Sequence, residues 1–283
     1  MNTLSTKTYR DKYRLANLDK LLRQALVSEK VCNVDRSPSK TIQNPYGSQP
    51  TTTVQALAGT YTVGAYTTTD DTLTVADEFI CAEHVFDFEQ SLSNFDLFAN
   101  RADEQAFSVA AKIDRFVLNN LCEDATGTYT TPVGGFTTAS NLPVIISNLL
   151  SKVAGYAETY KGLFLVIENT DLPGIIQAAA TSGFSFADSA LNNGFVTQYM
   201  GVDIYVVRAS TFADETLGTK TYTNSGHRVF GVKGLSTYAA PRGVQFEEKS
   251  VSLKTGKEVV TYGYIGCKTW ATISDLIIDI TLA

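Results

Sequence analysis

The sequence predicts an α+β fold in which one long helix stands beside two β-rich regions and a segment of alternating helices and strands. Apolar residues recur every three or four positions through residues 101–121, RADEQAFSVAAKIDRFVLNNL, as on one face of a helix. Thr, Tyr and Val alternate in residues 54–88, and a similar alternation returns after residue 236, as expected of strands. Helical patterns and short apolar runs take turns between residues 141 and 235. A chain of 283 residues can bury a substantial core with these parts.

The first segment of the chain, residues 1–53, is predicted to be an arm rather than a domain. Its residues 13–31 carry an apolar stripe at helical spacing, with Lys, Arg and Asp on the other face. Three prolines interrupt residues 33–53, which predicts an extended linker. Such a helix can dock on its own subunit or on a neighbouring copy, and the sequence leaves both open. The stripe consists of Leu15, Leu18, Leu22, Ala25 and Leu26.

Residues 54–82 predict a two-stranded hairpin that projects from the body. The polar segment TTTDDT at residues 67–72 has the composition of a turn, which places the predicted tip near Asp70 and Asp71. Few large apolar residues precede Leu73, so the hairpin would not be stable alone and is expected to lie on another surface. The alternative is an ordinary edge hairpin packed on its own sheet. The candidate contact residues of the hairpin are Tyr61, Tyr66, Asp70 and Asp71.

The long helix is predicted to span about residues 94–123, within a segment of residues 83–140. About 28 residues at about 1.5 Å each give a rod of roughly 40 Å, which suits a brace for a flat body. Residues 141–235 then predict a central sheet flanked by helices, and residues 236–283 predict closing strands. The elements predicted between residues 141 and 235 are helices over 142–155 and from Thr170 or Asp171 to Gly183, and strands over 163–168, 202–207 and 228–232.

Charge is distributed unevenly along the chain. Residues 1–50 hold nine Lys or Arg against four acids, a net of +5, whereas the whole chain carries −6, so the remainder carries −11. Opposite charges of arm and body favour contact between them, and an acidic body would repel the phosphates of nucleic acid. Charged residues are 18% of the chain, below the ~25% usual in soluble proteins, as expected either of a surface largely covered by neighbours or of a β-rich protein with many Thr and Tyr. The four cysteines are widely spaced and predict free thiols in a protein made in the cytoplasm.

The sequence offers no set of residues that predicts catalysis. His84 lies near Glu83 and Asp87, but residues of one strand point to alternate faces, so these side chains need not converge on a metal. GLSTY at residues 234–238 lacks the second glycine of a nucleophile elbow, and Val251 stands where a phosphate-binding loop needs glycine. We therefore predict no catalytic residue, no cofactor, no metal and no membrane insertion.

The order of these parts resembles the major capsid proteins of tailed double-stranded DNA phages, which have the Hong Kong 97-type fold. FANRADEQAFSVAAKIDRFVLN is similar to the Ala-rich spine helix of that family, and TQYMGVDIYVVRAS to a strand of its axial α/β domain. YGYIGCKTWATISDLIIDITL is similar to its closing strands. The resemblance implies an N-terminal arm, an extended hairpin called the E-loop (54–82), a peripheral domain with the spine helix (83–140), an axial domain (141–235) and peripheral closing strands (236–283).

The same resemblance implies a function and partners. Copies would assemble as pentamers and hexamers into an icosahedral head shell that encloses double-stranded DNA without binding its sequence. Scaffolding, portal and decoration proteins would be further partners, and the protein would reside in the virion after assembly in the host cytoplasm. Three alternatives stay open: an encapsulin-like nanocompartment shell, a β-rich adhesin or decoration module, and an enzyme that uses acids such as Glu247 and Glu248.

Overall fold

The computed structural model of the chain describes residues 26–47, 52, 59, 67–86, 97–181, 195–241, 245–250 and 255–283. Four α-helices lie in this part of the chain: α1 (Ser28–Val31), α2 (Leu97–Asp124), α3 (Asn141–Val153) and α4 (Leu172–Thr181). The strands before α3 are β1 (Asn33–Asp35), β2 (Thr41–Gly47), β3 (Thr68–Thr74), β4 (Asp77–Val85) and β5 (Gly127–Thr130). The strands from α3 to Val232 are β6 (Leu163–Glu168), β7 (Phe195–Tyr199), β8 (Val202–Val207), β9 (Asp214–Leu217), β10 (Lys220–Thr223) and β11 (His227–Val232). The last strands are β12 (Ser236–Ala239), β13 (Gln245–Ser250), β14 (Lys257–Thr269) and β15 (Ile277–Thr281).

A six-stranded sheet with the order β5-β15-β11-β6-β8-β7 forms the centre of the α/β part. β6 pairs in parallel with β8 and antiparallel with β11. Leu165 and Ile167 of β6 pack in one apolar cluster with α3 and α4, whereas Phe164 and Val166 pack in another with α2. Helices cover both faces of the sheet, which explains why β6 is apolar at five successive positions.

The strand pairing joins distant parts of the chain in this sheet. β15 lies between β11 and β5, although β5 and β15 fall outside residues 141–235, where the axial segment was predicted. Such long-range pairs cannot be assigned from local patterns, because periodicity identifies a strand but not its neighbours. The division of the chain into five segments stays a prediction, and the sheet crosses two of its boundaries.

The second sheet is built on the 13-residue strand β14. The first part of β14 lies between β4 and β13, its last four residues pair with β12, and β1 adds in parallel to β12. The amide of Gln105 in α2 donates to the carbonyl of Val259 at 3.2 Å and accepts from the Thr261 hydroxyl at 3.0 Å. The rings of Phe79 and Phe116 meet edge to face at 5.6 Å. The long helix therefore lies between the two sheets.

The structure confirms the long helix predicted over about residues 94–123. Its C-terminal half is buried, and buried amides as well as apolar side chains hold it. Asn119 donates to the carbonyl of Thr211 at 2.9 Å, and Asn224 donates to Asn119 Oδ1 at 3.1 Å. Asn120 donates to the Tyr222 hydroxyl at 2.8 Å. The buried apolar residues of α2 are Val109, Ile113, Phe116, Val117, Leu118, Leu121 and Cys122.

The hairpin in the structure is formed by a different pair of strands from the one predicted. β3, which contains Asp70 and Asp71, pairs antiparallel with β2, so the prediction of a tip at these two residues is wrong. Residues 41–47, predicted as linker, form the other strand. The cause is that polar Thr and Asp residues resemble a turn, whereas here backbone pairing with β2 keeps them extended. Residues 48–67 lie between the two strands in the sequence, and residues 54–58 and 60–66 of the predicted E-loop lie outside the described residues.

Gly174 in α4 is packed against the backbone of residues 136–137. An added Cβ would lie 2.1 Å from the carbonyl oxygen of Phe136 and 2.6 Å from that of Thr137. Helix propensity alone predicts that alanine at this position would gain about 1 kcal/mol. Because backbone atoms cannot move aside as a flexible side chain can, we expect Gly174→Ala to lower the free energy of unfolding by about 1–3 kcal/mol instead.

Urea unfolding followed by far-UV circular dichroism measures this difference. Ser147→Ala, on the exposed face of α3, is the control and should change stability by less than about 0.5 kcal/mol. A gain in stability for Gly174→Ala would contradict the close packing of α4.

Candidate assembly surfaces

The structure describes two of the seven residues predicted to make assembly contacts. Leu15, Leu18, Leu22, Tyr61 and Tyr66 lie outside the described residues, and their contacts stay a prediction. Asp70 is exposed on β3, opposite Pro45 of β2. Asp71 is buried and has its partners within the chain, which places the two neighbouring carboxylates in different environments.

The Asp71 carboxylate fixes the paired strands β2 and β3 to the body. It forms an ion pair with Lys268 and accepts a hydrogen bond from the backbone N–H of Ala271 at 2.9 Å. Desolvation opposes ionisation, but the hydrogen bonds and the nearby ammonium outweigh it and hold the pKa of Asp71 below its usual value. Leu73, two residues later, packs with Ala239 and Trp270. The base of the hairpin is therefore held firmly on the second sheet.

Asp114, on the long helix, holds the root of the N-terminal arm. Its carboxylate accepts from the backbone N–H groups of Val27 at 3.1 Å and Ser28 at 2.9 Å, and from the Ser28 hydroxyl at 2.5 Å. Val27 and Val31 are buried in the same apolar cluster as α2. β1 then continues the second sheet. The predicted arm over residues 1–53 therefore contains a root, residues 26–35, that belongs to the folded body.

Burial makes Asp114 sensitive to pH. Desolvation is the largest effect and, with the neighbouring Glu29, raises the pKa of Asp114 from 3.8 to about 6, although the Ser28 and Val27 hydrogen bonds act in the opposite direction. Because the Asp114 carboxyl binds its proton more tightly in the folded state than in the unfolded state, protonation of Asp114 stabilises the fold. This contribution is fully present below about pH 4 and is lost as the pH rises through about 6. A shift of this size corresponds to about 3 kcal/mol.

Asp114→Asn tests this pH dependence, since the amide cannot ionise. We expect the free energy of unfolding of the variant, relative to that of the unchanged chain, to increase by about 3 kcal/mol as the pH rises from 4 to 8. The measurement is denaturant unfolding of both proteins across that pH range, where the difference cancels the titration of the other carboxylates. A difference between the two proteins that does not change with pH would contradict the assignment.

The second sheet presents apolar side chains to solvent. Ile80 of β4 is 66% exposed and Tyr264 of β14 is 43% exposed. Ile80 stands directly opposite Tyr262 in the register, so these side chains share one face of the sheet. Among the described strands, β4 and β13 each pair only with β14, which leaves one edge of each open. An exposed aromatic face beside open strand edges favours contact with other chains.

The described residues also bear on metal binding and catalysis. They contain no group of three or more His, Cys, Asp or Glu residues that could hold a metal ion. His84 contacts the carbonyl oxygen of Thr255 at 3.2 Å and stacks edge to face on Phe86. Glu247 accepts from the Tyr262 hydroxyl at 2.7 Å and pairs with Lys249. All four cysteines are free thiols, and within the described ranges no helix is long and apolar enough to span a bilayer.

Little in the sequence indicates the roles of Asp71 and Asp114. Their partners lie up to 200 residues away along the chain, at Ala271 and Ser28. One signal was available for Asp114, because it follows the buried Ile113 on the apolar side of an amphipathic helix. A carboxylate at such a position needs a partner, since burying an unpaired charge is costly.

Comparison with solved structures finds the same fold in structures of phage capsids and of a virus-like particle. A capsid structure of the cyanophage P-SCSP1u matches with a TM-score of 0.69 at 12% identity, over 91% of this chain and 88% of that chain. A structure from Mycobacterium phage Che8 matches with a TM-score of 0.68 at 15% identity, over 91% of each chain. A virus-like particle from Pyrococcus furiosus matches with a TM-score of 0.58 at 9% identity, over 96% of this chain and 99% of that chain.

These matches show that the chain has the Hong Kong 97-type fold of tailed-phage capsid subunits, as the sequence predicted. Known protein families and curated protein sequences give no match. The likeness is therefore one of fold, at identities where side chains have diverged while the backbone arrangement has been kept.

Proposed function

We propose that the chain is the major capsid protein of a tailed double-stranded DNA phage, whose copies assemble into an icosahedral head shell. The observation that carries this proposal is the match of more than nine tenths of the chain to phage capsid subunits. Matching over nearly the full length includes the long helix and both sheets together. An isolated adhesin or decoration module would not need this combination of parts.

Assembly would depend on contacts between different surfaces of neighbouring copies. The hairpin rooted at β2 and β3 would extend over an adjacent subunit, and the basic arm would contact an acidic body. Contacts between unlike surfaces produce rings when the rotation closes, which accounts for pentamers and hexamers. The open edges of β4 and β13 and the exposed Ile80 and Tyr264 are the described features best suited to receive a neighbour.

The proposed shell would enclose DNA without gripping it. Residues 51–283 carry a net charge of −11, and affinity for DNA comes mainly from Lys and Arg side chains that neutralise phosphates. We include scaffolding, portal and decoration proteins as partners in this proposal. The chain would act through the geometry of its contacts rather than through catalysis, and its site of residence would be the virion, following assembly in the host cytoplasm.

Negative-stain electron microscopy of the purified chain tests the proposal. We expect closed icosahedral particles or rings of five and six subunits, and the same chain in DNA-filled heads of phage from the host that carries the gene. A chain that stays monomeric at high concentration would overturn the proposal.

A nanocompartment shell is the second candidate, favoured by the likeness to the virus-like particle from Pyrococcus furiosus. It predicts small closed shells in cells without a phage, with protein cargo and no genome. Extraction of nucleic acid from purified particles separates the two candidates, because only the phage head is expected to contain the double-stranded genome.

A further inference from the structure

An open groove of about 430 Å³ lies where α1, β4, β12, β14 and the long helix meet. Its walls are largely apolar, with Phe79, Ile113 and Ile265 among the lining residues. Glu29 and Arg36 also line it and form an ion pair at 3.0 Å. A concave surface with apolar residues in its walls can accept a row of apolar side chains from another segment.

Leu26 connects this groove to the N-terminal arm. It is the last residue of the apolar stripe predicted in the arm, and its side chain lines the groove. The chain before Leu26 therefore starts from the wall of the groove. In a helix Leu22 would lie about one turn, or about 6 Å, before Leu26 and on the same face. The rest of the stripe is therefore covalently held close to the groove.

Asp114 fixes the point from which the stripe leaves the body. The backbone N–H groups of Val27 and Ser28 donate to its carboxylate, at 3.1 and 2.9 Å. Both residues are also buried. The residue that joins the stripe to the body is therefore held in place beside the groove.

We propose that the stripe of Leu15, Leu18 and Leu22 occupies this groove of its own subunit. Attachment through Leu26 gives the segment a high effective concentration at the groove, which a second copy would have to match through its own concentration. Charge supports the same occupant, because residues 1–25 hold six Lys or Arg against two acids, whereas residues 51–283 carry a net charge of −11. This inference deepens the proposed function. It rests on the proposed function in one respect, which is that docking would control when the arm can reach a neighbouring copy.

Photo-cross-linking in the full-length chain tests this docking. A photoreactive phenylalanine derivative replaces Leu22, and in a matched variant it replaces Lys20, which lies on the opposite side of the helical pattern. After irradiation we expect the Leu22 variant to yield cross-links to peptides that contain Phe79, Ile113 or Ile265, in a band with the mass of one subunit. The Lys20 variant should lose these cross-links. Leu18 serves as a second probe position if the Leu22 variant does not fold by circular dichroism.

Two outcomes would overturn the inference. Groove cross-links found mainly in a band with the mass of two subunits would show that a neighbouring copy supplies the occupant. Absence of groove cross-links from both Leu22 and Leu18 would show that the stripe lies elsewhere. Irradiation works equally on unassembled chains and on particles. A failure of docking is therefore detected on a denaturing gel, whereas a failure to form a shell is detected separately by electron microscopy.

Discussion

Replacing Arg228 with methionine is expected to lower the free energy of unfolding by about 3–5 kcal/mol, the largest stability effect predicted for this chain. Arg228 lies in β11 with its side chain buried between two carboxylates. Its Nε donates to Asp171 at 2.5 Å, and its Nη2 lies 3.2 Å from Glu168. Removing the guanidinium leaves both acids buried without their shared cation. Glu168 also accepts from the backbone N–H of Phe212 at 3.1 Å, so the same cluster holds a connecting loop to the sheet.

Denaturant unfolding of the variant gives the measurement, and two further variants interpret it. Arg36→Met removes an exposed ion pair with Glu29 and should cost less than about 1 kcal/mol. Adding Glu168→Gln and Asp171→Asn to Arg228→Met should recover part of the loss, because no charge is then left unpaired. Equal losses in the free energy of unfolding for Arg228→Met and Arg36→Met would contradict the expected contribution of the buried cluster.

Deletion of residues 1–25 is expected to abolish closed particles while leaving a folded subunit. The deletion removes all of the stripe except Leu26, together with six basic residues. It keeps Val27, Ser28 and Val31, which are packed on the long helix. A longer deletion that reached residue 30 would also cut the buried root and confuse unfolding with failure to assemble. The measurement is negative-stain microscopy together with far-UV circular dichroism.

Deletion of residues 1–9 is the matched control, since it keeps the whole stripe and five of the six basic residues. Particles from this control and none from the longer deletion are the expected pair of results. Normal particles from both would mean that the arm is dispensable for closing the shell.

Local pattern was enough to predict the elements whose faces are buried in a regular way. The strands predicted over 163–168 and 202–207 agree with β6 and β8 at both ends, because largely apolar runs of this length fit a strand covered on both faces. The long helix was equally clear, since its apolar residues follow one period over many turns. In each case the pattern needs no knowledge of which element lies opposite.

Pairing between distant strands could not be predicted in the same way. β2 is rich in polar residues and contains Pro45, so its strand character depends on β3 rather than on its own sequence. The roles of the two anchoring carboxylates likewise depend on distant residues. Asp71 and Asp114 owe their roles to Lys268 and Ser28, and nothing in the neighbouring sequence encodes those partners.

The position of β15 has a consequence for how the subunit is made. This strand, rich in isoleucine, lies inside the six-stranded sheet and joins β5 to β11. During translation the sheet cannot close until residue 281 has left the ribosome, so any shorter fragment exposes unpaired backbone and apolar surface. Incomplete chains would then be recognised by chaperones or proteases before they could join a growing lattice, which makes the topology itself a check on the quality of the building blocks.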